Sequence, residues 1–397
     1  MLESNHTLAV NRFYFDHNAT TPVSPEALDA YVSAARDGFG NASSIHHYGQ
    51  AAKQKLEAAR RQVAEAINCH PKEIVFVSGG TEADNLALLG AVRSCDWKQR
   101  HVITTAIEHP AVLNPCARLE REGVRVTYVQ VGSDGVVDPG EIRGSLRPET
   151  ILISVMHANN ELGTIQPVEE IAGIAREAGV LFHSDGVQAL GRIPVDVKAL
   201  EVDLYSLSSH KVFAPKGAGV LYVRKGVRLE PLLYGGHHER DLRPGTENVP
   251  AAAAFGVACD YLRREAGVEA ERLRTLRDRL EKGILERVPV VRVNGSVEKR
   301  LPNTSNLCFE GLEGEAMVIG LDLRGCAVST GAACSSGAVE PSHVLTAIGL
   351  PAEKAKASIR FSLGRGNTTE QVDTLIDAVA ATAAHLRQLS PTWSVHA

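Results

Sequence analysis

Between about residue 70 and residue 225 the chain alternates short apolar runs with amphipathic stretches. The runs are Glu73–Val77, His101–Ala106, Val126–Val131, Thr150–Met156, Val180–His183, Asp203–Leu207 and Gly219–Val223. A strand covered on both faces has no solvent side to keep polar, so such near-continuous runs predict buried strands. With helices between them they predict an α/β unit on a mostly parallel sheet of seven strands. Ligands of such sheets sit beyond the carboxyl ends of the strands, which directs attention to the residues just after each run.

After Tyr234 the texture changes through the turn Gly235-Gly236-His237-His238 to an Ala-rich stretch and then a long charged helix. There Leu273, Leu276, Leu280 and Ile284 recur at helical spacing on one face. The remainder predicts a smaller α+β unit, with strands at Val290–Val293, Asn306–Phe309 and Ser358–Ser362. A last amphipathic helix carries Val372, Leu375, Ile376 and Val379. No repeat or low-complexity tract interrupts the pattern.

Composition narrows the picture. A chain of 397 residues that is 44% hydrophobic can bury a large core without staples. Its net charge of -5 provides no global attraction to a polyanion, so nucleic acid is not an expected partner. No run of about eighteen uncharged apolar residues occurs, and the first residues lack a basic segment followed by an apolar one, so a cytoplasmic protein without a membrane partner is expected. Seven scattered cysteines with no C-x-x-C pair argue against a disulfide framework or a structural zinc site. Each thiol is by default a small core hydrophobe.

Three segments carry candidate chemistry. Ser78-Gly79-Gly80-Thr81-Glu82-Ala83-Asp84-Asn85 lies between a strand and a helical run, where glycines let amides approach an anion and the helix N-terminus offers unpaired N–H groups; an ordinary turn has the same composition. Asp185, directly after a strand, could pair with a protonated ring nitrogen or simply cap its loop. Lys211, in Ser208-Ser209-His210-Lys211 after another strand, suits an imine-forming amine, although most lysines are surface charge. An anion turn, an acid and a lysine after successive strands together form the parts list of a pyridoxal-phosphate site.

Several motifs bear a closer likeness: Phe15-Asp16-His17-Asn18-Ala19-Thr20-Thr21, Glu108-His109-Pro110-Ala111-Val112, His157-Ala158-Asn159-Asn160-Glu161-Leu162-Gly163 and Arg243-Pro244-Gly245-Thr246-Glu247-Asn248. With the turn at Gly80 and the Lys211 segment, they resemble the NifS/IscS cysteine desulfurases of the class V aminotransferase superfamily, in order from about residue 14 to residue 385. The resemblance implies the pyridoxal-phosphate-dependent transferase fold of type I, with a large cofactor-binding domain at 26–261. A small domain at 1–25 and 262–397 would carry the catalytic cysteine. It further implies that Lys211 holds the cofactor covalently and that His109 stacks on its ring and assists proton transfer. Asp185 would pair with the ring nitrogen, and Gln188 and Asn160 would address the phenolic side and the substrate. Gly80, Thr81, Ser208 and His210 would bind the phosphate, with Thr246 supplied by the other subunit of a homodimer.

The segment Ser329-Thr330-Gly331-Ala332-Ala333-Cys334-Ser335-Ser336-Gly337, followed by Glu340-Pro341-Ser342-His343, resembles the family's persulfide-bearing loop, and its small residues suit a mobile one. By the same likeness Arg360 grips the carboxylate of L-cysteine, matching its fork with a planar guanidinium. The implied reaction converts L-cysteine to alanine and leaves its sulfur on Cys334. From there it would pass to an acceptor protein such as an iron–sulfur scaffold, or into tRNA or DNA modification. No resident metal is expected, though Cys334 could transiently ligate an iron–sulfur cluster. Ala332 and Ser335 depart from the usual Gly-Ser-Ala-Cys-Thr-Ser, and Pro244 from a frequent Ser; neither change removes a reacting group. An aminotransferase or selenocysteine lyase independent of Cys334, and a non-catalytic cofactor-binding scaffold, are the competing readings.

Overall fold

The computed structural model describes residues 11–95, 100–331 and 340–389. Its strands in chain order are β1 (Phe13–Tyr14), β2 (Ile74–Val77), β3 (His101–Thr105), β4 (Arg125–Val129), β5 (Thr150–Ser154) and β6 (Leu181–Asp185). They continue with β7 (Leu204–Ser208), β8 (Gly219–Val223), β9 (Val291–Val293), β10 (Thr304–Phe309), β11 (Cys326–Ala327) and β12 (Ser358–Ser362). All seven runs predicted between residues 70 and 225 are strands of one sheet, in the order β2-β8-β7-β6-β5-β3-β4. Neighbours from β4 to β7 pair in parallel, and β8 pairs antiparallel with both β7 and β2. Every strand but β8 therefore points its carboxyl end at the same rim.

Six of the seven runs are buried because both faces of the sheet are covered; β4, at the edge, departs from the expectation and buries only Val129. On β2, Val75 and Val77 pack with the helices Gly80–Arg93 and Pro110–Arg121, while Ile74 and Phe76 face the opposite core. Burying one such side chain contributes about 1.5–3 kcal/mol, so the sheet is anchored from two sides. At the rim β8 passes so close to the turn after β2 that a Cβ on Gly219 would stand 2.5 Å from the Gly79 backbone; only glycine allows the approach.

A second core joins Leu273, Leu276, Leu280 and Ile284 with Leu307, Phe309, Ile359, Phe361, Val372, Leu375 and Val379. Its sheet is antiparallel in the order β12-β10-β9. The Ala-rich stretch and the charged helix, read separately from sequence, are one helix, Val249–Arg287. No proline interrupts it after Pro250, so it runs for 39 residues, about 58 Å at 1.5 Å per residue, from the first core into the second. Among the described residues no helix is long and apolar enough to cross a membrane.

Candidate active site

The rim holds a cavity of about 290 Å³. Its lining includes Gly80, Thr81, His109, Asn160, Asp185, Gln188, Ser208, His210, Lys211 and Arg360, ten residues singled out in the sequence. Thr246 is not among the lining residues; it is exposed in the loop before Val249. Cys334 lies outside the described residues.

The carboxyl end of β2 leads straight into the helix Gly80–Arg93, whose N-cap, Gly79, supplies no side-chain acceptor to its first amides. Those N–H groups and the positive end of the helix dipole therefore face the cavity. A Cβ on Gly80 would come within 2.9 Å of Val187 Cγ2 and 3.4 Å of Ser208 Cβ, so glycine keeps this corner open. The Ser208 hydroxyl beside it is buried and has no hydrogen-bond partner. Glu82 ties the turn down: its carboxylate accepts from the Ser78 amide at 2.7 Å and from Arg243 Nε at 2.9 Å, which joins the Gly80 turn to the Arg243–Asn248 motif.

Asp185 is the last residue of β6, and its Oδ1 accepts from the Val187 amide at 2.9 Å. The loop-capping and cavity-facing readings are thus both realised. Burial pushes its carboxyl up to about 6, against the Val187 amide and the Lys211 charge, which favour ionisation. Gln188 donates from Nε2 to the Asn18 carbonyl at 3.0 Å, and its Oε1 is buried without a partner.

Lys211 closes the short 3₁₀ turn that follows β7. Its Nζ donates to the carbonyls of Asn18 at 2.5 Å and Ala19 at 2.7 Å. Burial, helped by the Arg192 and Arg360 guanidiniums and opposed by Asp185 and Asp16, pulls its amine down to about 7. A nucleophilic amine needs this environment, because only the free base attacks a carbonyl. His109 caps the helix Pro110–Arg121: its Nδ1 accepts from the Ala111 amide at 3.0 Å, which leaves the ring proton on Nε2. Burial, then Lys211 and His343, pull this imidazole down to about 4, so it is neutral at pH 7.

Arg360 comes from β12, in the small sheet, and is only 2% exposed. Its guanidinium pairs with Asp16 Oδ1 at 2.6 Å and donates to the Asn160 carbonyl at 3.1 Å, while Nε is buried without a partner. Arg360 is thus salt-bridged, and the same side chain lines the cavity.

Residues on both sides of Cys334 are held at the site. Gly331 lines the cavity, Ser342 Oγ donates to Glu161 Oε2 at 2.6 Å, and His343 Nε2 bonds the Glu108 carbonyl at 2.9 Å. Of the other cysteines, Cys116, Cys259, Cys308 and Cys326 are buried and Cys69 and Cys95 half-buried. Burial pushes the Cys69 and Cys116 thiols up to about 12, as expected of inert thiols.

Sequence reasoning missed Asn18, although it quoted the motif that contains it. Asn18 is 1% exposed and accepts from Gln188 and Lys211 through its carbonyl. Its side chain bonds the Asn160 carbonyl, Thr304 and Asn303. Asp84, one turn into the helix that begins at Gly80, was also passed over; it lines the cavity fully buried, and burial with the nearby Asp185 charge drives its carboxyl well up. The only available signal was its position in a motif, since burial is invisible in the sequence.

A cavity with uncapped helix amides, an unpartnered serine hydroxyl, an amine held near neutrality and a buried acid suits an enzyme that binds an aldehyde cofactor with a phosphate tail. The aminotransferase class-V family model matches residues 13–375, and the chain belongs to this family. A cysteine desulfurase from Gluconacetobacter diazotrophicus is 48% identical over 386 residues, spanning 97% of this chain and 96% of that one. The cysteine desulfurase IscS of Methanosarcina thermophila is 47% identical over 95% of this chain and 93% of its own. A solved NifS-like protein superposes with a TM-score of 0.89 at 37% identity, covering 94% of this chain and all of the other. Within the family the chain is a pyridoxal-phosphate-dependent cysteine desulfurase.

Proposed function

We propose that the cavity binds pyridoxal phosphate and L-cysteine together, and that Cys334 receives the sulfur. The observation that carries this reading is the convergence of ten residues, drawn from strands and turns spread over 280 positions of sequence, on one cavity. Gly80, Thr81, Ser208 and His210 would hold the cofactor's phosphate, Asp185 its ring nitrogen, His109 its ring and Lys211 its aldehyde carbon. When bound, the cofactor supplies an electron sink for bonds broken at the substrate's α-carbon.

The chain's own groups do the rest. Arg360 binds the substrate carboxylate, and Asn160 lies beside it. Lys211 Nζ, its amine pulled down to about 7 chiefly by burial, takes the α-proton. His109, neutral with its proton on Nε2, stands ready to pass a proton within the cavity. The Cys334 thiolate attacks the substrate sulfur: a sulfur–sulfur bond forms, the carbon–sulfur pair stays with the carbon, and protonation of that carbon yields alanine. No outside oxidant is needed. The products are a Cys334 persulfide and alanine.

The exposed position of Thr246, away from its own cavity, supports a homodimer in which each subunit completes the other's phosphate site. The persulfide would then serve an acceptor protein such as an iron–sulfur scaffold, in the cytoplasm. We divide the chain into a cofactor-binding unit at 26–261 and a smaller unit formed by 1–25 and 262–397. The test is an absorption spectrum of the purified protein with L-cysteine, with alanine and sulfide assayed beside Cys334→Ala. A band that shifts with cysteine, and sulfur release lost in the variant, is the expected result; unchanged turnover in the variant would transfer the reading to an aminotransferase or lyase.

A further inference from the structure

Behind the cavity lies a second buried guanidinium. Arg192 follows the turn that carries Asp185 and Gln188, and its side chain points back toward them. It donates from Nη1 to the Gln188 carbonyl at 2.9 Å and from Nη2 to the His17 carbonyl at 3.5 Å. Among the described residues no carboxylate stands within ion-pair distance of it, whereas the buried Arg60 pairs with Glu239, Arg277 with Asp278 and Arg360 with Asp16. Leaving a cation buried and unpaired is costly, and a neutral residue of similar size would avoid the cost.

We propose that Arg192 is a positioning residue of the cofactor site, fixing Gln188 and supplying the uncompensated positive charge that keeps Lys211 a nucleophile. The geometry forms a short chain: Arg192 holds the Gln188 carbonyl, Gln188 Nε2 holds the Asn18 carbonyl, and the same carbonyl accepts from Lys211 Nζ. The charged and titratable groups that face Lys211 are Asp16 and Asp185, which favour its ammonium form, and Arg192, Arg360, His109 and His210. Both histidines are pulled down to about 4 and are neutral at pH 7. Arg360 is already paired with Asp16, so the two charges of that pair largely cancel at Lys211. Arg192 is the cation left to offset Asp185.

The inference rests on the reading of Lys211 as the cofactor lysine, and the experiment separates the two. Pyridoxal phosphate is added to the cofactor-stripped full chain, and the rate of its capture is followed by absorbance from pH 5.5 to 9, to about half a unit. In capture the Lys211 nitrogen bonds to the aldehyde carbon and the carbonyl oxygen leaves as water with two nitrogen protons. Only the free amine reacts, so the rate falls as pH drops through the lysine's pKa. Taking the ratio of variant to wild type at each pH removes the cofactor's own ionisations.

Arg192→Gln removes the cation, so the midpoint moves up by about one unit and capture at pH 6 slows about tenfold, with the rates converging at high pH. Thermal stability should not fall, because a buried unpaired charge is gone. Arg192→Lys keeps the charge but cannot span both carbonyls; its midpoint stays at the wild-type value while the captured cofactor is released faster. Coincident midpoints for wild type and Arg192→Gln overturn the inference. If Arg192→Gln does not fold, Arg192→Lys decides alone, and a shifted midpoint with unchanged retention overturns it. If no variant, nor the wild type, captures the aldehyde, the Lys211 reading itself fails and this inference with it.

Discussion

The carboxyl rim of the large sheet and the arginine of the small sheet contribute to one cavity by different physical means. Asp185, Ser208 and Lys211 stand at the ends of parallel strands, where the ladder fixes the backbone and burial sets the charge state. Arg360 stands on an antiparallel strand with its charge already answered by Asp16. The first region is prepared for a ligand by what it lacks: uncapped amides and an unpartnered hydroxyl. The second is prepared by a partner that a ligand must share. A cofactor that stays bound suits the first arrangement, and a substrate that must enter and leave suits the second.

The comparison can be broken most severely at the strand ends. Lys211→Ala should abolish the cofactor band that shifts with L-cysteine and lower the rate of alanine formation by about 10³-fold or more, since both covalent attachment and the α-proton acceptor disappear. A variant retaining a tenth of wild-type activity would show that the rim is not what makes the site reactive.

At the small sheet the effect should be smaller and confined to binding. Arg360→Lys keeps the charge and loses the planar fork, costing roughly 1.5–3 kcal/mol of charge-assisted hydrogen bonding, which raises KM for L-cysteine about 10- to 150-fold with kcat little changed. Steady-state kinetics with L-cysteine checks the split; a loss confined to kcat would place Arg360 among the reacting groups instead.

The smallest effect is expected at Asp16. Asp16→Asn leaves an amide oxygen that Arg360 can still donate to, and removes the carboxylate that competes with the substrate. KM should fall a few-fold, within the ~0.5–1 kcal/mol of one modest contact, while kcat holds. A rise in KM would mean that the ion pair orients Arg360 more than it occupies it.

Asn18 shows why the two regions read so differently from sequence. Strand ends are local features: an apolar run followed by Asp185 or by Ser208-Ser209-His210-Lys211 can be located by pattern alone. Asn18 precedes the large sheet and follows the short strand β1 by four residues, in a polar stretch that no pattern ties to the sheet. Its importance comes from partners 142 to 286 residues away, Asn160, Lys211 and Thr304. Asp84 was missed for the same reason, since its burial is set by strands that arrive later in the chain.

The chain by itself determined the seven strands of the large sheet and which residues line the cavity at its rim. Those depend on period-two and period-3.6 patterns and on motifs a few residues long, both of which survive in one dimension. Only the tertiary structure decided that Arg360 answers to Asp16, that Glu82 joins two motifs through Arg243, and that Arg192 is buried with no carboxylate beside it among the described residues. Charge balance and burial are sums over neighbours from every part of the fold, and a sequence does not contain the distances that enter those sums.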